Sequence, residues 1–105
     1  MNLPELQERA IADSRFWFPD VHATTQTAVV HFGLGIAGEV GELVNFIKKW
    51  NRGSITLEKL QEEAALEAAD VAIYLMDICA ELGIDLGQAI EIKRRVLVNR
   101  WGSPT

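Results

Sequence analysis

The chain has 105 residues, 49% of them hydrophobic and 24% charged, with a formal net charge of −5. That is a globular composition of single-domain size, so residues 1 to 105 are read as one domain with a hydrophobic core. The acidic balance excludes a nucleic-acid binder working through a broad basic face, and a lone cysteine, Cys79, allows no internal disulfide and is a poor basis for a zinc site.

No basic segment followed by an apolar run opens the sequence, and no uninterrupted apolar stretch reaches spanning length. A soluble cytoplasmic protein is therefore expected. Residues 3 to 15 predict a short amphipathic helix, with Leu3, Leu6, Ala10 and Ile11 at helical spacing and Glu5, Gln7, Glu8 and Arg9 facing away; Pro4 suits its first turn. Phe16-Trp17-Phe18-Pro19 ends it. Three adjacent aromatics can plug the end of a bundle or line a ligand pocket, and the plug is the expectation.

One long helix is predicted from about residue 24 to 50, capped by Thr24 or Thr25. Its apolar residues spread over more than one face, which predicts burial on several sides. Gly33, Gly35, Gly38 and Gly41 each weaken a helix interior by up to roughly 1 kcal/mol relative to alanine, so a backbone or ligand is expected to come close. Lys48, Lys49 and Arg52 complement the dipole at its end. Thr56 caps a third helix, to about residue 82, stopped by Gly83. Asp85 caps a fourth, from about 86 to 100. No strand-like alternation competes. The expected fold is all-α, a four-helix bundle-like protomer.

Chemistry concentrates in the carboxylates. Glu39 and Glu42 lie three residues apart in the glycine-rich, apolar second helix, and Glu67 and Asp70 repeat that spacing in the third. Such residues stand about 60° apart around the axis, one turn up, so each pair can converge on one ion. Ionised carboxylates in an apolar helix need a compensating cation. All-oxygen ligands suit Mg²⁺ or Mn²⁺. A di-iron bundle needs Glu-x-x-His, and neither His22 nor His31 follows a glutamate at that spacing.

Glu67, Asp70, Tyr74, Asp77 and Glu81 form one longitudinal stripe. Its ordinary reading is a solvated face, which the matching pair on the apolar second helix weakens. Glu63, one turn before Glu67, is read as solvated before it is read as a ligand. Trp50 and Trp17 could each stack on a nucleobase or serve as core or dimer contacts. His31, on nearly the same helical face as Glu42, is read first as structural and second as a substrate contact. Lys93, Arg94, Arg95 and Arg100 gather near the end of the fourth helix, where dipole complementarity alone would place them. Cys79 reads as a small buried apolar residue.

Gly38-Glu-Val-Gly-Glu-Leu43, followed by Glu67-Ala-Ala-Asp70-Val-Ala-Ile-Tyr-Leu75 and Leu82-Gly-Ile-Asp-Leu86, resembles the MazG-like family of all-α nucleoside triphosphate pyrophosphohydrolases over residues 22 to 101. The resemblance implies Mg²⁺-dependent hydrolysis of a (deoxy)nucleoside triphosphate to the monophosphate and pyrophosphate, for nucleotide-pool control. Mn²⁺ would substitute. It implies that Glu39, Glu42, Glu67 and Asp70 hold two or more ions and carry the catalysis, one of them or a further carboxylate such as Glu63 orienting the water.

The family's phosphate-binding Lys is matched in place by Arg95, with Asn99 four residues on; Gly102 stands where relatives often carry Arg, and Arg100 is displaced. Arg95 and Asn99 are thus implied phosphate contacts, and Lys93, Arg100, His31, Trp50 and Tyr74 are further candidate substrate contacts. Asp77 departs from the neutral residue expected in relatives and would contact ribose or a further ion. Two nearly all-apolar helices exceed what one small protomer buries, and family likeness points the same way: a homodimer or dimer of dimers, with no stable nucleic-acid or membrane partner. The alternatives are a pyrophosphohydrolase on another nucleotide, such as phosphoribosyl-ATP, and a non-enzymatic helical dimerisation module.

Overall fold

Each long helix starts where the sequence supplies a side-chain acceptor. Thr24 Oγ1 accepts from the Thr27 amide at 3.0 Å while Thr27 Oγ1 accepts from the Thr24 amide at 3.2 Å. Thr56 Oγ1 accepts from the Lys59 amide and Asp85 Oδ1 from the Gln88 amide, both at 3.1 Å. Each such cap is worth about 1 kcal/mol. Asn2, which the sequence reading passed over, caps the first helix by accepting from the Glu5 amide at 3.0 Å. Gly53 and Gly83 take φ of 79° and 69°. That left-handed geometry lets the Ser54 amide reach the Lys49 carbonyl, and the Ile84 amide the Cys79 carbonyl, each at 2.8 Å.

The computed structural model, which describes residues 1–104, is all-helical: α1 (Leu3–Trp17), a 3-10 turn (Val21–Ala23), α2 (Thr25–Asn51), α3 (Leu57–Glu81) and α4 (Leu86–Trp101). The all-α expectation with four helices holds, and each predicted boundary falls within two residues. The 3-10 turn replaces what the sequence suggested was irregular chain.

α2 and α3 form the central pair, α1 lies across α3, and the chief packing of α4 is against α1. Gln7 locks that last contact. Its amide donates to the Ile84 carbonyl at 2.7 Å and its Oε1 accepts from the Leu86 amide at 3.2 Å, which ties α1 to the turn between α3 and α4. The sequence had turned Gln7 away from the core. Phe32 sits at the centre, its ring 5.5 Å from those of His22 and Tyr74 and 5.1 Å from that of His31.

Two expectations need correction at the level of the protomer. α2 is not buried on several sides, because Ala28 and Phe32 are its only buried residues, while Leu34 is 74% exposed and Val30, Val40, Val44 and Ile47 are all exposed. The aromatics do not plug the end of the fold: Phe16, Trp17 and Phe18 are exposed because α1 turns its Ser14 side, not its end, toward α3. By length and composition alone, α2 is also long and apolar enough to cross a membrane, with a mean hydropathy of 1.3 over an 18-residue window. Its two glutamates interrupt the apolar run without lowering the average below a spanning helix.

The accessible surface is 7564 Å², whereas a folded monomer of 11.7 kDa exposes about 5,900 Å². The radius of gyration is 16.4 Å, against about 13 Å for a compact domain of this length. The protomer therefore leaves about 1,700 Å² more uncovered than its mass requires, much of it on α2, α3 and α4, and α4 contributes no buried residue at all.

Candidate functional site: a carboxylate cluster beside an aromatic cleft

Packing α2 on α3 brings the predicted half-sites together. One carboxylate oxygen from each of Glu39, Glu67 and Asp70 lies within 4.8 Å of the other two. Glu67 is the innermost of the three. A hydrogen bond with Glu39, then burial, then a hydrogen bond with Glu42 push its carboxyl up from 4.5 to about 7. Glu42 is exposed and stands outside the three carboxylates that converge, acting on them through Glu67. Glu67 Oε2 is buried with no hydrogen-bond partner. Crowded carboxylates with one oxygen unpartnered offer an all-oxygen donor set of the kind a hard divalent cation takes. The donor set fits Mg²⁺ or Mn²⁺. Glu63, half-buried, is paired at 2.9 Å with Lys59 one turn earlier.

Down α3 from Asp70, the carboxylate stripe does not face water. Tyr74 packs against Phe32 and over Gly35, where a Cβ would stand 2.8 Å from Tyr74 Cε2. Gly35 is therefore the one glycine of α2 whose missing side chain the protomer itself uses. A Cβ at Gly33, Gly38 or Gly41 would meet nothing within 4 Å. Burial, followed by the nearby carboxylates Glu39, Asp70, Asp77 and Glu42, raises the Tyr74 phenol.

Asp77 is only 1% exposed, and its Oδ1 has no hydrogen-bond partner. Burial pushes its carboxyl up from 3.8 to about 6, against the opposing pull of His22, Ser14 and Arg15. One turn further, Glu81 Oε1 lies 2.6 Å from His22 Nδ1 and 3.4 Å from Arg15. The other His22 nitrogen sits 2.7 Å from the Ser14 hydroxyl. Ser14 and His22 are the residues of this region that sequence reasoning missed. His22 lies in the short turn before α2, outside any periodic pattern, so only the fold brings it to Glu81.

A cleft of about 290 Å³ runs beside this seam, lined by Asp70, Ile73, Tyr74 and Asp77 of α3, by Phe32 of α2, and by Ser14, Trp17 and Phe18 from the end of α1, with Leu6, Arg9, Ala10, Asp13 and Met76 completing its wall. The carboxylate cluster stands at one end through Asp70. Trp17 and Phe18, set edge to face with ring centroids 6.5 Å apart, form part of the rim.

The remaining candidates are not gathered here. His31 is exposed, stacked edge-on against Phe32, and borders a separate shallow groove with Thr24, Gln26, Thr27 and Val30. Trp50 is 43% exposed at the end of α2. Lys93, Arg95, Asn99 and Arg100 are exposed on α4, and no hydrogen bond or ion pair among the described residues ties them to the carboxylates. Their separation follows from α4 packing chiefly on α1. Cys79 is buried, and burial raises its thiol.

The chain matches no family model, no curated protein and no solved structure.

Proposed function

We propose that this chain is a Mg²⁺-dependent nucleoside triphosphate pyrophosphohydrolase of the MazG-like kind, releasing a nucleoside monophosphate and pyrophosphate. The observation that carries the reading is the convergence of Glu39, Glu67 and Asp70 from two helices, with Glu42 beside them, next to a cleft of nucleoside size. When bound, a divalent ion supplies positive charge against the triphosphate and lowers the pKa of a water. Glu39, Glu42, Glu67 and Asp70 would hold it, and two or more ions follow from the family likeness, Mn²⁺ replacing Mg²⁺.

The chain's own part is orientation: α2 and α3 fix the carboxylates, one of which accepts the proton of the attacking water. The cleft then holds the nucleoside so that a phosphate lies at the Asp70 end. Water adds across one phosphoanhydride, the proton leaves to solvent, and pyrophosphate departs.

The active form in this reading is a homodimer or a dimer of dimers in the cytoplasm. About 1,700 Å² of excess surface per chain doubles to the range of obligate interfaces. The open glycines Gly33, Gly38 and Gly41 give a second copy room to approach α2. A second copy is also the natural source of phosphate contacts, with Lys93, Arg95, Asn99 and Arg100 free on the surface to supply them.

The exposed apolar surface equally suits a helical dimerisation module without activity, and metal dependence separates the two readings. Pyrophosphate release from a panel of (deoxy)nucleoside triphosphates and phosphoribosyl-ATP should require Mg²⁺ or Mn²⁺. Saturating metal should raise stability, by about 2.7 kcal/mol at a hundredfold excess over Kd. Glu42→Gln and Asp70→Asn should abolish release while leaving the helical fold intact. Full activity in both, or no metal effect on release or melting, overturns the assignment.

A further inference from the structure

One wall of the cleft is a single helix face. Leu6, Arg9, Ala10, Asp13, Ser14 and Trp17 recur along α1 at three- and four-residue spacing and all line it, with Phe18 closing the row at the C-cap. Phe32, Met76 and Asp77, on the opposite side, are buried. A ligand can reach that floor only if α1 moves.

Little apolar area secures α1, a helix of 15 residues. Ser14 is its only buried residue, and Leu6, Phe16 and Trp17 stay exposed. The ties to the rest of the chain are polar and sit at two places. In the first half Gln7 donates to the Ile84 carbonyl at 2.7 Å and accepts from the Leu86 amide at 3.2 Å. Toward the end Ser14 lies 2.7 Å from His22, and Arg15 lies 3.4 Å from Glu81. Such bonds are exchanged for bonds to water at small net cost. Docking α1 also covers Asp77, whose Oδ1 stays without a partner although Ser14 bonds the carboxyl, and lifting the helix returns that oxygen to water.

The 3-10 turn that follows is fixed to the body instead. The Thr27 hydroxyl reaches the Val21 carbonyl at 3.0 Å, and the His22 ring packs on Phe32. Only Phe18, Pro19 and Asp20 lie between that turn and α1, and Phe18, at φ −132° and ψ 61°, has already left the helical conformation. A short non-helical joint between an anchored turn and a lightly held helix is the arrangement of a hinge.

We propose that α1 is a hinged lid, which swings about residues 18–20 while α2 and α3 stay folded and so opens the floor of the cleft to a small-molecule ligand. α4, whose chief packing is against α1, loosens with it. The ligand admitted has a flat, largely apolar body, which Trp17, Phe18, Phe32 and Tyr74 cover when the lid closes. The motion stands on the geometry of the cleft and is independent of the nucleotide reading of the carboxylate cluster.

Native-state hydrogen exchange of the full-length protein in EDTA, at one protein concentration and in low urea, reads the motion without metal or substrate. Amides in the second half of α1 should exchange through openings about tenfold or more frequent than those that free the amides around Phe32 and Met76, and with less dependence on urea, because lifting one helix exposes less surface than unfolding. Gln7→Ala, far from the floor, should make α1 opening about fivefold more frequent, the value of one hydrogen bond, and leave α2 and α3 unchanged. Ser14→Ala should do so from the other end. The thiol introduced by Met76→Cys in a Cys79→Ala background should react with N-ethylmaleimide in proportion to α1 opening, hence about fivefold faster when Gln7→Ala is added. The proposal is overturned if α1 of the unmodified protein exchanges only together with α2 and α3, if α1 is unprotected throughout, or if Gln7→Ala quickens neither exchange nor labelling. None of these readouts involves hydrolysis. Local opening of α1 without pyrophosphate release refutes the enzymatic reading alone, and release by a protein whose α1 opens only on global unfolding refutes the lid alone.

Discussion

Replacing Asp77 by asparagine should make the protein more stable at neutral pH, and the gain should disappear in acid. The carboxyl lies at about 6 in the folded chain against 3.8 when free, with burial the leading cause. The folded state therefore holds the proton more tightly than the unfolded state. The contribution of Asp77 to stability is fully present below about pH 4 and is lost as the pH rises through about 6. The interval from 3.8 to about 6 corresponds to about 3 kcal/mol between the two protonation states. An asparagine never ionises, so it escapes that loss, although its amide brings donors that need partners and can take back about 1–3 kcal/mol independently of pH. The diagnostic quantity is thus the change with pH of the stability difference between the two proteins. Urea denaturation of both, at one fixed protomer concentration between pH 4.5 and 8, should show the difference moving by about 2 kcal/mol in favour of asparagine, the first part of the interval lying below pH 4.5. His22, Ser14, Glu81 and Arg15 surround Asp77 and act on its carboxyl. A difference that stays flat across this range would refute the burial of an uncompensated carboxylate.

Other outcomes follow from the same packing. Gly35→Ala should cost about 1–3 kcal/mol by displacing the Tyr74 ring from 2.8 Å. Gly38→Ala should stabilise the isolated helix by up to roughly 1 kcal/mol unless a second chain closes on it, in which case chemical denaturation becomes more sensitive to protein concentration. Leu34→Asp, at a site 74% exposed, should shift the mass measured by analytical ultracentrifugation from a multiple of 11.7 kDa toward 11.7 kDa itself; an unchanged mass would place the interface elsewhere. His22→Ala strands Ser14 and leaves buried Glu81 with only the exposed Arg15, which should lower the urea midpoint by the equivalent of about 2–4 kcal/mol.

What could be read from the sequence was whatever depends on neighbours along the chain. Caps at Thr24, Thr56 and Asp85 and the stop at Gly83 are all fixed within one or two helical turns, and the structure places them as the pattern demands; of the two carboxylate pairs, it gathers Glu39, Glu67 and Asp70. What could not be read depends on which helix lies against which. Asp77 and Glu81 sit on the same stripe as Glu67, with identical spacing, and nothing in that periodicity distinguishes a residue facing an ion from one facing His22. Only α1 crossing α3 makes the difference, and that crossing is held by Gln7 at one end and by Ser14 through His22 at the other. The apolar excess of α2 was legible as an excess, but whether it meets its own chain is a property of the fold. In the protomer it meets little of it.

That division bears on Asp77 itself. A residue whose cost in stability is set by burial, and whose surroundings leave one oxygen unanswered, is a local conflict of the sort that sequences carry where a ligand resolves it. The carboxylate cluster shows the same conflict in Glu67, whose Oε2 is buried without a hydrogen-bond partner. Two unpartnered, buried carboxylate oxygens thus lie along α3, Glu67 Oε2 and Asp77 Oδ1, and each favours a positively polarised partner over an acceptor.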